Sequence, residues 1–316
     1  MPTPVTVYRW DDEGAPQLIQ GSPVEWFNLF KKCLVEGYGQ KPAAGWLLVE
    51  EQANPPCLTF QNDPAKGASG GYIVLKAAGT SNAEIITAQG CLDYVSFDQH
   101  SRNGAKFRFG ISSTNEQYAR KNWILVASTH GFYFFSFANY QMSVNFFNRG
   151  SHNLFYVGDY FNHIPNDPTR FFTISGNYRE SGSLNYNENA SQQLHLGAYG
   201  TSIVYPLDGS PDSQNSYFSS IFGSSYSRGY MYVDATPEIS MMSPLVIVTG
   251  DRKSNTNDSI RPTHRGLLPG LFVSLEYGYG RENMPFLKSI GNTNYLAIPH
   301  HEDNSGTALW LNLESW

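Results

Sequence analysis

Gly67-Ala68-Ser69-Gly70-Gly71 matches, letter for letter, the G-x-S-x-G turn that presents a nucleophilic serine. That turn works only between a strand and a helix, where the sharp bend lifts the hydroxyl clear of the sheet. Here the next residues are Tyr72-Ile73-Val74-Leu75, a β-branched and apolar run with the character of a strand. The spacing predicts a glycine-rich turn, not a nucleophile. His300-His301-Glu302-Asp303 is the densest group of metal-capable side chains. Neighbouring residues on a strand point to opposite faces, and zinc needs several convergent ligands, so this stretch reads as a polar hairpin link. Asp11-Asp12-Glu13 and Glu50-Glu51 are acidic pairs. A glycosidase needs two carboxylates at a fixed distance in space, which adjacency in sequence does not supply. The sequence has no phosphate-binding loop and no dinucleotide glycine fingerprint. These residues assign no catalytic group, cofactor or metal.

Aromatic side chains offer a different chemistry. Tyr217, Phe218, Phe222, Tyr226, Tyr230 and Tyr232 form the best cluster. Rings can stack on the apolar faces of sugars. They can also fill a core or a subunit interface, where aromatics are enriched; packing of this kind, with the six as candidate interface aromatics, is preferred to sugar binding.

The elements that must carry these residues are mostly strands. One helix is marked by Ser22-Pro23-Val24-Glu25, a capping box with proline at the first helical position. Trp26, Phe27, Phe30, Cys33 and Leu34 follow at helical spacing, and Gly37 ends the helix, so it spans Pro23 to about Glu36. Strands are expected at Trp46 to Glu50, Leu58 to Gln61, Tyr72 to Lys76, Glu84 to Thr87 and Leu92 to Phe97, the last two separated at Gly90. Phe107, Phe109 and Ile111 alternate as in a half-buried strand. Trp123 to Ala127 and Phe132 to Phe137 form the clearest hairpin, through Ser128-Thr129-His130-Gly131. Further strands are expected at Phe155 to Asp159, Phe171 to Ser175, Tyr230 to Val233, Leu245 to Thr249, Leu271 to Leu275, Tyr295 to Ile298 and Ala308 to Leu313. Between them, about 176–227 is rich in Asn, Ser, Gly and Tyr and reads as an irregular loop or arm, or as short strands without hydrophobic rhythm. The fold class is mainly β, an antiparallel sandwich or barrel with one N-terminal helix, in a single domain over 1–316.

Composition narrows the function. The 316 residues are 41% hydrophobic and 15% aromatic, but only 15% charged, against about 25% in an average soluble domain. A surface short of charge and rich in aromatics suits burial against neighbours. A net charge of −6 and the absence of any Lys/Arg cluster argue against direct nucleic-acid binding. Cys33, Cys57 and Cys91 show neither zinc nor redox spacing and read as core residues in a reducing compartment. No signal-peptide pattern opens the sequence and no apolar run is long enough to cross a bilayer. Synthesis in the cytoplasm is expected.

The stretch Gly21 to Trp46 resembles the N-terminal signature of a family of minor structural proteins of tailed-bacteriophage particles. Its core is Cys33-Leu34-Val35-Glu36-Gly37-Tyr38-Gly39, then Lys41 and Ala43-Ala44-Gly45-Trp46, similar to the family's "CLVNGYG-K-AAGW". Gly71 to Leu75 resembles its early strand, and Trp123 to Ala127 with Phe132 to Phe135 its central hairpin. Val157-Gly158-Asp159-Tyr160 with Pro165-Asn166-Asp167 resembles a "GD-x-x-x-x-x-P-x-D" segment, and Leu267 to Leu271 a late "RG-L-G-L" segment. The region 176–227 departs most from the family. The resemblance implies a component of the virion, at the neck, collar or tail, made in the host cytoplasm. Its partners would be other virion proteins and further copies of itself in a symmetric homo-oligomer, with no membrane, nucleic acid or cofactor. It carries over no active site. The alternatives are a carbohydrate- or receptor-binding module on the particle surface, and an envelope-degrading hydrolase.

Overall fold

The computed structural model describes residues 2–111, 119–137, 142–143, 152–164, 167–175, 202–220, 223–224, 242–249, 263–274, 283–298 and 308–316. A first strand, β1 (Thr6–Arg9), precedes helix α1 (Pro23–Lys31), which continues as a π-helical turn over Lys32–Glu36. The helix forms where its apolar spacing places it and buries Trp26, Phe27, Leu29 and Phe30, followed by Cys33 and Leu34. The capping box itself does not form, and the glutamate holds the chain just before it instead. Ser22 makes no side-chain cap, while the Glu25 carboxylate accepts the backbone N–H groups of Gln20 at 3.0 Å and Gly21 at 2.6 Å.

β2 (Leu47–Ala53), β3 (Pro56–Gln61) and β4 (Tyr72–Ala77) follow as the sequence indicates. The two strands expected on either side of Gly90 are in fact one, β5 (Ile86–Ser96), paired with β6 (Gln99–Phe109). Gly90 is not a break. Its missing side chain admits the next layer, since a Cβ there would stand 2.7 Å from the Thr173 methyl. The ladder absorbs the position with a register shift between Gln89 and Cys91. The predicted hairpin is β7 (Asn122–Ala127) and β8 (Gly131–Phe137).

Then come β9 (Met142–Ser143), β10 (His152–Asp159), β11 (Phe161–Asn162) and β12 (Phe171–Ile174). The described part of 176–227 is built of short strands: β13 (Ile203–Val204), β14 (Gln214–Ser220) and β15 (Gly223–Ser224). In that part a loose arm gives way to sheet; 176–201 lies outside the described residues. The remaining strands are β16 (Met242–Thr249), β17 (Thr263–Ser274), β18 (Asn283–Met284), β19 (Phe286–Ile290), β20 (Thr293–Ile298) and β21 (Ala308–Asn312). The strand expected at Tyr230 to Val233 falls outside the described residues.

The chain is mainly β, with antiparallel sheets ordered β2-β3-β4-β5-β6, β1-β7-β8-β10-β12 and β13-β14-β16-β17-β21-β20-β19, besides a small β18-β9 ladder. The second sheet is the middle layer. Along its strands, alternate residues enter different cores. Trp123, Leu125, Phe132, Phe134, Phe155 and Phe171 meet α1 and the inner face of the first sheet. Ile124, Val126, Tyr133, Leu154, Tyr156 and Phe172 meet Leu245, Ile247, Leu271, Leu309 and Leu311 of the third. A strand covered on both faces has no polar side to show, which is why Phe132-Tyr133-Phe134-Phe135 lacks polar alternation.

The chain's two tails close the middle layer onto the third. Thr3 N–H donates to the Trp316 carbonyl at 2.6 Å, and Trp316 N–H returns a bond to Thr3 at 2.9 Å. The Trp316 indole, 6% exposed, lies edge-on to Tyr133 and fills the space left by Gly270, whose φ is +64°.

Candidate functional site

The densest polar chemistry lies on the connection between β10 and β12, residues 159–170. It begins at Gly158, paired with Gly131 across the β10–β8 ladder. At φ +145°, with a Cβ there overlapping the Cα of Gly131, only glycine fits. The bend aims Asp159, 3% exposed, at the turn after β3. Its carboxylate accepts the Ser69 N–H at 2.8 Å, the Asn62 amide at 2.8 Å and the Arg170 Nε at 2.9 Å, besides the Ser69 hydroxyl. Asn62 in turn accepts the Gly70 N–H at 2.8 Å. The glycine-rich turn is thereby clamped to the middle sheet through a charge-assisted knot.

A second knot closes the other end of the connection. Asp167, 2% exposed, accepts the Thr169 N–H at 2.7 Å, the Thr169 hydroxyl at 2.6 Å and the Tyr160 hydroxyl at 3.0 Å, besides the Asn162 amide. The buried Arg265 of β17 supplies the countercharge, with Nη2 3.5 Å from Asp167, 2.8 Å from the Tyr160 hydroxyl and 2.9 Å from the Tyr205 carbonyl. Burial pushes the Tyr160 phenol up to about 12, opposed by Arg265. Beside this knot β11 pairs with β17, and Gly266 leaves room for the Phe161 carbonyl. The connection thus ties the first layer to the middle one through Asp159, and the middle to the third through Asp167.

Ser69 sits in a turn whose geometry does not activate it. Its hydroxyl donates to a carboxylate already engaged by Asn62, Arg170 and the Ser69 N–H. An activated serine needs a base free to take its proton. The nearby His130 ring engages Thr129 Oγ1 at 3.1 Å. The acidic pairs are likewise divided among separate contacts. Asp11 meets Arg9, Asp12 accepts the Tyr38 hydroxyl at 2.8 Å, Glu50 accepts the Tyr94 hydroxyl at 2.5 Å, and Glu51 meets Lys31 at 2.9 Å.

The block from Cys33 to Trp46 is a corner. Ala44 N–H donates to the Cys33 carbonyl, and the N–H groups of Gly45 and Trp46 to the Leu34 carbonyl, each at 3.0 Å. Gly37, Gly39 and Gly45 all have positive φ. A Cβ at Gly37 would stand 2.6 Å from the Lys41 carbonyl oxygen. The corner docks on β1 and the hairpin: Lys41 Nζ reaches the Val7 carbonyl at 2.9 Å, and the Trp46 indole reaches that of Ser128 at 3.0 Å.

A small cavity, about 10 Å³, lies among Gly90, Cys91, Arg102, Gly104, Thr173 and Tyr205. That is on the order of one water molecule. The Thr173 hydroxyl, fully buried there, has no hydrogen-bond partner among the described residues. Burial pushes the Cys91 thiol up to about 12, so it stays protonated at neutral pH.

Of the aromatic cluster, Phe218 is 1% exposed and stacks on Phe172 at 6.4 Å. It is core, not surface, because β14 points it at the middle sheet. The backbone of Tyr217 pairs with Val248. Phe222, Tyr226, Tyr230 and Tyr232 lie outside the described residues, as do His300, His301, Glu302 and Asp303. Among the described residues no three His, Cys, Asp or Glu side chains gather to hold a metal, and no helix is long and apolar enough to cross a membrane. Sequence reasoning singled out Asp159 and Asp167 only as part of a quoted segment. Arg265, the partner of Asp167, carried no local signal, being 98 residues away in the chain.

No protein-family model matches the chain, and no curated protein matches it.

Proposed function

We propose that the chain is a structural subunit of a tailed-phage particle, at the neck, collar or tail, working through protein–protein contacts in a symmetric assembly. One observation carries the reading: both carboxylates of the Gly158-Asp159…Asp167 segment, a segment that resembles phage structural proteins, tie layers of the fold together. Neither is presented to a cleft. The corner from Cys33 to Trp46, the most specific part of the resemblance, serves packing in the same way. Low charge and high aromatic content fit a surface covered by neighbours. The subunit is made in the host cytoplasm and joins the virion there.

The test is quantitative mass spectrometry of purified particles. A copy number matching a ring, on the order of 6 or 12, supports a neck or tail position. Absence from the particle overturns the proposal.

A further inference from the structure

We propose that the outer edge of β2 receives an added strand from a different particle protein, one that presents lysine opposite Glu50 and Glu51. The inference rests on the structural role above and names the kind of partner.

β2 has one ordinary edge protection, a register shift between Leu48 and Glu50, but no described strand pairs with its outer edge. An unpaired edge is a template for another chain, and proteins blunt it by covering it or keeping it short. The opposite edge of the same sheet, β6, is covered where the Tyr205 hydroxyl donates to the Asn103 carbonyl at 2.8 Å. At the edge of the middle sheet, Lys41 caps the Val7 carbonyl of β1. β2 runs seven residues, pairs only with β3 among the described residues, and is exposed at every position except the half-buried Glu50. Leu47, Leu48 and Val49 are 41%, 37% and 40% exposed, three apolar residues in a row open on both faces. An incoming strand would gain main-chain hydrogen bonds along the edge and cover these side chains.

Charge selects the occupant. Residues 47–56 contain Glu50 and Glu51 and no Lys or Arg. Glu51 has one cation, Lys31, and Glu50 has the neutral hydroxyl of Tyr94. A second copy pairing two-fold and antiparallel along the full strand would set Glu50 against Glu50, with Glu51 of each chain beside it. Like charges directly opposed destabilise a ladder, and opposite charges support it. Glu50 and Glu51 are successive and face opposite sides of the sheet, one toward Tyr94 and the other toward Lys31. A strand with lysine at successive positions therefore meets one carboxylate on each face, and apolar residues beside them cover Leu47 to Val49.

The test treats purified particles with a water-soluble carbodiimide, which joins a carboxylate to an amine in contact with it, and maps the products by mass spectrometry. Hydrogen exchange over 47–53 is compared between particles and the free protein. The expected result is a cross-link from Glu50 or Glu51 to a lysine of another particle protein, with 47–53 protected in the particle. In particles carrying Glu50→Gln together with Glu51→Gln, whose fold is checked by circular dichroism, that link is lost. A link to a lysine of a second copy overturns the proposal in favour of self-pairing. A link to Lys31 alone, with 47–53 unprotected, overturns it outright. If the protein is counted in the particle while 47–53 exchanges freely, the strand fails and the structural role stands; absence from the particle sinks both.

Discussion

A carboxylate removed from water must have its lone pairs engaged, or burial costs several kcal/mol. Asp159 meets that demand through Ser69, Asn62 and Arg170, and Asp167 through Thr169, Tyr160 and Arg265. Asp159→Ala leaves the Arg170 guanidinium facing an apolar stub. The expected loss is about 3 kcal/mol, read as a lower urea midpoint with unchanged slope; a loss below ~1 kcal/mol would show that water enters the knot. Thr173 is the opposite case, a buried hydroxyl with no partner among the described residues. Thr173→Val keeps the shape and removes the unpaired group. The melting temperature is expected to hold or rise, and a clear fall would reveal a bound water that the hydroxyl serves. The sequence shows these residues but not their roles, since Asn62 and Asp159 are 97 positions apart. No local rule joins a polar residue to a partner that only the tertiary fold brings near.

Elements with a local cause were legible. α1 follows from apolar spacing and the proline at its start, and the β7–β8 hairpin from two apolar runs around a turn. β1 was missed because four residues between proline-rich and acidic stretches give too short a pattern to stand out. The sequence divides β5 in two because glycine there reads as punctuation, when its role is to let Thr173 approach from the neighbouring sheet. Gly90→Ala tests that role. A methyl 2.7 Å from the Thr173 side chain is expected to cost about 1–3 kcal/mol. Thr173→Ala in the same chain should recover part of it, and a double-mutant cycle with no coupling would refute the contact.

Across the whole molecule, the mainly β class was legible, while the stacking of three sheets was not, because a run of buried aromatics does not say what lies on either side. The stacking has a consequence at high pH. Tyr133 and Tyr156 lie fully buried between the middle and third sheets, their hydroxyls donating to the carbonyls of Pro269 and Asp159. Burial raises both phenols well above the ordinary 10.0. Their folded values exceed the unfolded ones, so their contribution is fully present below about 10 and declines as pH rises above it. Alkaline titration should therefore release phenolate absorbance from these tyrosines together with unfolding. Smooth ionisation with the β-sheet signal intact would show that water reaches the middle of the stack.

Thr3 and Trp316 hydrogen-bond to each other in both directions, so the stretch from residue 3 to residue 316 already forms a ring closed by those two bonds. Such a ring can be cut elsewhere. With the tails joined by a short Gly-Ser bridge and new ends opened at Gly209, a turn where a side chain would meet nothing within 4 Å, the permuted protein should give the same circular dichroism spectrum. Its layers would be synthesised in a different order, and their final arrangement would be indifferent to that order.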